Sequence, residues 1–261
     1  MTLMKFLRTC IAMSLLIVTA ACASNPSNVE TDTRDPYEDL NRKIFAFNKG
    51  FDRQILKPIS SAYQFIMPDP LEDGISNAMR NLREPWVFIN DILQFKFKRA
   101  LTTLTRFTLN TTVGAAGLFK VSDGMNIPYH SEDLGQTFAV WGIKESPYFI
   151  IPFVGPSTNR DVVGFAGYFF LDPVTITLNN EGESGLSLLR AGVDALDTRV
   201  RLHDSLDELY KEDDPYVVMR SLYLQNRRFE IYDGNPPADE DEEDFFDDLE
   251  EEEEEEDGGG S

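Results

Sequence analysis

The chain is expected to fold as a single, mainly α domain lying between an exported N-terminal signal and an acidic tail without regular structure. Three observations carry that expectation. Apolar residues recur at helical spacing through most of residues 35–234, about 100° per residue. Asp-Pro pairs at Asp35-Pro36 and Asp214-Pro215 have the form of helix starts, because proline suits a first-turn position whose N–H would have no partner. The acids crowd into residues 235–261, where like charges repel and nothing apolar can be buried.

The first element runs from Asp35 to Pro58 and is expected to be one long amphipathic helix. Asp35 is placed to cap its first free amides. Tyr37, Leu40, Ile44, Phe47, Phe51 and Ile55 form one stripe, with Arg42, Lys43, Lys49, Arg53 and Lys57 on the far side. Such a helix lies on something apolar. Asn41 and Asn48 sit beside the stripe, where an amide needs a partner. They are either satisfied contacts to a neighbouring element or a polar seam along an apolar path. Phe45 points toward the polar flank, where a soluble protein gains little from a large ring, and is a candidate for lipid contact.

The N-terminus has its own logic. Lys5 and Arg8 precede an uncharged run from Cys10 to Ala21, the pattern of a bacterial secretory signal over residues 1–21. Val18-Thr19-Ala20-Ala21-Cys22 has the form of a lipobox, which makes Cys22 the expected site of lipid attachment; the alternative is an ordinary signal peptide with a chance cysteine. Ala23 rather than aspartate after the cysteine favours sorting to the outer membrane. Several acyl chains give a firm anchor, since each buried CH₂ contributes about 0.8 kcal/mol. Residues 22–34 then serve as a lipidated tether reaching at most about 40 Å. With Cys10 removed and Cys22 acylated, no thiol remains for a disulfide, a cysteine metal site or a cysteine nucleophile.

The net charge of −21 is concentrated in the tail, because Asp239 to Asp257 holds 16 of the 45 acids. Without that segment and the signal, 29 acids face 22 bases, so no basic field for nucleic acid exists. The tail is read as a solubility segment, or as a docking motif through Phe245, Phe246 and Leu249. Nineteen phenylalanines with Trp86 and Trp141 supply either a Phe-rich core or surface suited to a bilayer. After the signal, charges interrupt every apolar run before the 18 or so residues that a spanning helix needs.

Further along, Ile59 to Met67 is expected to be helical until Pro68 and Pro70, and Leu71 to Leu82 keeps the spacing. Pro85 is read as a fresh start, with Trp86, Ile89, Leu93 and Phe97 on one face. Lys96, Lys98, Arg99 and Arg106 form a basic cluster, either a solvated face or a meeting place for head groups or acidic partners. From Thr111 to Pro156 the chain is irregular and rich in Gly and Pro. Phe138, Val140 and Gly142 alternate like a strand. Tyr148 to Val154 reads either as a buried hairpin or as a flap hinged at Gly135 and Gly142. DVVGFAGYFFLDP is apolar nearly all round, hence buried or embedded in lipid. Leu186 to Val200 marks a long helix ending near Tyr210, and Asp214-Pro215 opens the last helix, with Arg227 and Arg228 near its C-terminal end.

Enzyme signatures are missing: there is no G-x-S-x-G elbow, no P-loop and no H-E-x-x-H around His130 or His203. No metal or cofactor is expected. The segment with Asp35-Pro36, Glu38, Asn41-Arg42, Phe47-Asn48 and Asp52 resembles the signature of the VacJ/MlaA family of outer-membrane lipoproteins. So do NLREPWVFIND, RFTLNTTVGAAGLFKVSD, EDLGQTFAVWGI, YFIIPFVGPSTNRD and DPYVVMRSLYLQNRRFE, which together cover most of Asp35 to Glu230. The resemblance implies a ring-like helical domain in the inner leaflet of the outer membrane, pierced by an amphipathic channel and associated with a trimeric porin. It further implies removal of phospholipid from the outer leaflet, which maintains lipid asymmetry, and its transfer to a soluble periplasmic lipid carrier that serves an inner-membrane ABC transporter. On that reading Asn41, Phe45, Asn48, Trp141 and Gly142 are the candidate lipid path. A structural porin-associated lipoprotein without transport activity, or a phospholipid hydrolase, are the alternatives.

Overall fold

The computed structural model describes residues 35–144 and 147–237. The signal, Cys22, the tether and nearly all of the acidic tail lie outside the described residues. The chain divides after Pro36, and the unit beginning at Tyr37 is mainly α, as expected.

Helix α1 spans Glu38–Phe51 and continues through a wider π-helical turn, Asp52–Leu56, into α2, Lys57–Ile66. The first regular residue is Glu38, two later than Pro36, with Tyr37 at the cap position making no side-chain cap bond of its own. Glu38 and Asp39 add negative charge to the first turn. Pro58 does not end the helix, because the widened turn before it absorbs the missing N–H and the ring clash. Met67 is extended, and Asp69–Leu93 then forms α3, unbroken through Pro85. Beside the hydrogen bond that Pro85 removes, the Leu82 carbonyl accepts from Arg190 Nη2 at 3.1 Å.

Helix α4, Phe97–Thr112, returns along α3. After the short α5, Val121–Gly124, comes α6, Leu134–Val140, where a strand was expected from Phe138, Val140 and Gly142. The reason is local: Asp133 caps the segment by accepting from Gln136 N at 2.9 Å, and Gly142 at φ +83° ends it. An antiparallel hairpin follows, β1 Phe149–Ile151 with β2 Gly155–Ser157, in the register Phe149 to Ser157, Ile150 to Pro156 and Ile151 to Gly155. Beyond it lie α7 (Asn159–Leu171), α8 (Pro173–Asn180), α9 (Ser184–Arg201), α10 (His203–Leu209) and α11 (Pro215–Ile231). Asp214 caps α11 as expected, accepting from the amides of Tyr216 and Val217.

Polarity is arranged against the usual rule. Among the described residues, nine apolar side chains are buried against twenty-five polar or charged ones, whereas buried charge is rare in soluble proteins. On α1 the predicted apolar stripe faces outward, with Leu40, Phe47 and Ile55 each nearly half exposed, while Asn41 and Phe45 are buried. Phe45 is therefore corrected from lipid contact to core. Its ring packs edge-on against Tyr216 at 5.9 Å, in a cluster with Tyr148 and Ile150. The packed side of the helix is the line Asn41, Phe45, Asn48 and Asp52, between the stripe and the basic flank, whose Lys43 and Arg53 stay exposed.

Candidate functional site

The two asparagines of α1 show how the interior is held. Asn41 Oδ1 accepts from Ile150 N at 2.9 Å, and its Nδ2 donates to Tyr148 O at 3.2 Å. One heptad on, Asn48 Oδ1 accepts from Phe153 N at 2.8 Å, and its Nδ2 donates to Ile151 O at 3.0 Å. Each amide thus stands in for a strand residue beside β1. The hydrogen-bonding atoms assigned to a lipid path are spent on the hairpin, as the satisfied-contact alternative requires. At the hairpin tip Phe153 packs edge-on against Phe47 and Phe51, at 5.1 and 5.0 Å. Trp141 is half exposed and anchored by its Nε1 donating to Leu93 O at 2.9 Å, and Gly142 is open to its surroundings.

Gly135 is not the hinge of a flap. A β-carbon at Gly164 would sit 2.7 Å from the Gly135 nitrogen, so the two glycines let α6 and α7 touch backbone to backbone. Gly135 is also closed in by Arg227 and Asp161. Movement there would have to break the ion cluster described next.

The polar interior is a series of ion pairs between helices. Facing sides of α3 and α4 present Asn81, Glu84 and Asp91 against Arg99, Thr103, Arg106 and Asn110. Asn81 Nδ2 donates to Thr111 Oγ1 at 2.9 Å, Arg106 Nε to Glu84 at 3.2 Å, and Thr103 Oγ1 to Asp91 at 2.7 Å. Burial outweighs the attraction of Arg106 and pushes the Glu84 carboxyl up to about 7. The basic cluster is neither a solvated face nor a free surface for head groups, because three of its four members are matched within the chain. Lys96 lies 2.7 Å from Asp233, Arg99 lies 3.0 Å from Glu132, and Arg106 reaches Asp123 at 2.8 Å.

Arg227, expected only to complement a helix end, is a hub. It donates to both oxygens of Asp133 at 2.7 Å and, through Nε, to Asp161 at 2.9 Å. Burial disfavours the charges of Asp133 and Arg227, yet their mutual bonds hold the Asp133 carboxyl below its usual range and raise Arg227. Asp172, at the α7–α8 junction, accepts from Thr175 N at 2.8 Å and pairs with Arg190, which also donates to Tyr168 at 2.9 Å. Asp52, turned inward at the π-helical turn, accepts from Arg199 Nη2 at 3.2 Å. Sequence reading missed these pairs because single buried charges leave no periodic signal.

Asp91, His130 and Glu132 bring donor atoms within 4.8 Å of one another, a set that suits a cation. Lys96 and Arg99 already stand at 3.3 and 3.0 Å from Glu132, so the chain supplies that cation itself. His130 meets Asp91 and Thr103 through the same ring nitrogen. A nucleophile, base and orienting acid need both nitrogens.

Helices α7 and α8 together, Asn159–Asn180, are long and apolar enough to cross a membrane, although Asp172 interrupts them, and only 11% of their most apolar 18-residue stretch is buried. A soluble core helix would be mostly buried, so the reading of this stretch as packed inside the protein is set aside. Two openings border α3. One, of about 130 Å³, is lined by Met79, Arg80, Arg83, Tyr129, Asp194, Asp197 and Arg201; the other, of about 230 Å³, is apolar and lined by Pro85, Pro173, Val174, Thr177 and Leu178.

A family model described as MlaA lipoprotein matches residues 33–230. The intermembrane phospholipid transport system lipoprotein MlaA of Escherichia coli (strain K12) is 30% identical over 242 residues, 91% of this chain and 93% of that one. Its namesake in Haemophilus influenzae is 28% identical over 85% of this chain and 89% of its own length. An uncharacterized protein of Rickettsia felis is 31% identical over 76% of this chain and 78% of its own length. A structure solved in work on the structural basis for maintenance of bacterial outer membrane lipid asymmetry superposes with a TM-score of 0.65 at 30% identity, covering 77% of this chain and 99% of that one. With a matching family model over more than half its length and a mainly helical body of the same fold, the chain belongs to the MlaA lipoprotein family.

Proposed function

We propose that the protein is an outer-membrane lipoprotein, anchored through Cys22 in the inner leaflet, that withdraws phospholipid from the outer leaflet and passes it to a soluble periplasmic carrier. The observation that carries this reading is the inverted polarity: a buried interior of ion pairs and amides inside an apolar exterior. A body of that kind suits hydrocarbon, since apolar surface next to lipid tails has no cost and polar groups must find partners inside. A phospholipid moving between leaflets needs a polar route for its head group, because bare transfer through hydrocarbon is costly. It also needs apolar surface for its tails. The scarcely buried Asn159–Asn180 pair suits tails or the apolar wall of a trimeric porin. Trp141 and Gly142, exposed at the end of α6, remain the candidate lipid contacts. With no P-loop in the sequence, the driving force is the lipid's own gradient or the onward ABC transporter.

The test is complementation of a strain lacking the gene, with surface-exposed phospholipid as the readout. The wild-type chain restores low exposure, whereas Cys22→Ser, produced at equal level, leaves it high and appears in the soluble envelope fraction. Full rescue by Cys22→Ser rejects the anchored mechanism. Failure of the wild-type chain to lower outer-leaflet phospholipid rejects transport.

A further inference from the structure

The cavity bordered by α3 and α9 differs in one respect from every other ionic site described above. Its lining carries three guanidinium groups, Arg80, Arg83 and Arg201, and two carboxylates, Asp194 and Asp197. Arg83 is paired with Asp194, and Arg201 with Asp197 at 2.9 Å. Arg80 has no carboxylate partner among the described residues. Its guanidinium lies over the Tyr129 ring at 5.8 Å from the centroid, and Arg106 approaches the same ring at 5.3 Å. Arg83 and Arg201 in the same wall are matched, so the partly buried Arg80 guanidinium is the one in this lining that is open to an anion from outside.

Charge and shape narrow its chemistry. The lining sums to one positive charge, matched by the single negative charge of a phosphodiester. A planar guanidinium binds two phosphate oxygens at once, the geometry for which arginine is better suited than lysine. About 130 Å³ of open space is many times the 10–15 Å³ or so that one water needs. We propose that this cavity is the head-group site of the protein, with Arg80 binding the phosphodiester of a phospholipid. The inference rests on the transport reading above and adds to it the place where the head group is held. Arg83 and Arg201 act as positioning residues, kept in the wall by Asp194 and Asp197.

The test uses the full-length lipidated protein in detergent, with dihexanoyl-phosphatidylglycerol, inorganic phosphate and dihexanoylglycerol as probes in separate titrations. Arg80→Gln is expected to weaken phosphatidylglycerol binding about tenfold, the scale of one lost charge-assisted hydrogen bond. Arg80→Lys should recover part of the loss, and Lys98→Gln, which removes an exposed charge outside the cavity, should change binding less than twofold. Dihexanoylglycerol, lacking the phosphate, should bind wild type and Arg80→Gln equally. Because Arg80 makes no ion pair among the described residues, thermal unfolding should change little. Phosphatidylglycerol binding that is indifferent to Arg80 overturns the inference and leaves transport standing. Inorganic phosphate binding as tightly as the lipid, with the same dependence on Arg80, overturns the lipid assignment in favour of a free-anion site. If the wild-type protein binds none of the phospholipid, both this site and the transport reading fall.

Discussion

Helices α3 and α4 and helices α7 and α8 solve the same problem in different ways. The first pair is amphipathic in reverse. Glu84, Asp91, Thr103 and Arg106 face each other, while Phe97, Leu101 and Leu104 look outward. The second pair is apolar on nearly every side and scarcely buried, and is tied down by a polar residue at each critical point. Asp161 in its first turn is bound to Arg227, and Asp172 at its junction is bound to Arg190. A continuous polar seam in one region is replaced by two ionic clamps in the other. In both, charge marks the inside of the protein, so the strongest stability effects should come from polar substitutions rather than from apolar truncations.

Arg227 gives that expectation its sharpest form. Arg227→Met keeps much of the side chain's bulk but leaves Asp133 and Asp161 without their cation, and stability in detergent should fall by about 3–5 kcal/mol. The accompanying Asp133→Asn, Asp161→Asn changes should recover part of the loss, because no carboxylate is then stranded. If Arg227→Met unfolds like wild type, the clamp is ornamental and the apolar contacts of α7 hold it.

Next in size is the hairpin. Asn41→Leu removes the partners of Tyr148 O and Ile150 N, two backbone groups whose buried desolvation costs about 1–3 kcal/mol each. A loss of roughly 2–6 kcal/mol and faster hydrogen exchange at the Ile150 amide are expected. Asn48→Leu should cost less, since Asn48 and the hairpin tip are more exposed. Equal and negligible costs would return both asparagines to the lipid path.

This inversion explains which parts of the fold were legible in the sequence. Helical spacing located α1, α2 and α11 well, and α9 up to its end at Arg201, where the expected continuation to Tyr210 is a separate helix; the Asp214 cap is a chemical signal that survives in any solvent. Spacing does not say which side faces in. The stripe of Leu40, Phe47 and Ile55 and the flank carrying Phe45 are geometrically equivalent until the surroundings are known, and outside water the preference reverses. Pro85 reads as a break in the sequence, and nothing local announces that α3 runs through it; Arg190, which braces the helix one residue on from the freed carbonyl, at Leu82 O, is a partner 108 residues away. The helix over Leu134–Val140 is hidden because alternation across so few residues fits either period. Of the candidate site, Trp141 and Gly142 are visible as surface positions, while the ionic hubs around Arg227 and the cavity at Arg80 depend on contacts between distant segments.

A smaller effect concerns pH. The Glu84 carboxyl, ordinarily at 4.5, is pushed up to about 7 in the folded protein, so the folded state binds that proton more tightly. Stability from this group is present below the ordinary value and is lost as pH rises through about 7. The loss is at most on the order of 3 kcal/mol at about 1.4 kcal/mol per pH unit. Glu84→Gln should therefore flatten the dependence of the unfolding midpoint between pH 5 and 8 or so relative to wild type. Parallel curves for the two proteins would mean that Glu84 stays ionised beside Arg106 and that the α3–α4 seam is a simple salt bridge.

The smallest expected effect is also the most direct test of which side faces out. Leu101 lies on the outer face of α4 and is 64% exposed, and leucine and glutamine have similar helix propensities. In detergent, Leu101→Gln should change stability by no more than about 0.5 kcal/mol, as for other surface positions. In a soluble helix of the same pattern, Leu101 would be core, and truncating such a leucine costs about 2–5 kcal/mol. The same change should loosen the protein's hold on membranes, because a leucine withdrawn from hydrocarbon forfeits roughly 1.5–3 kcal/mol of burial. Release by alkaline or urea wash, in a variant that also carries Cys22→Ser, measures this without the lipid anchor. Unchanged stability with easier release is the outcome for an outward, lipid-facing leucine. A large loss of stability would instead mean that α4 packs its apolar face against protein, and the contrast between the two helix pairs would disappear.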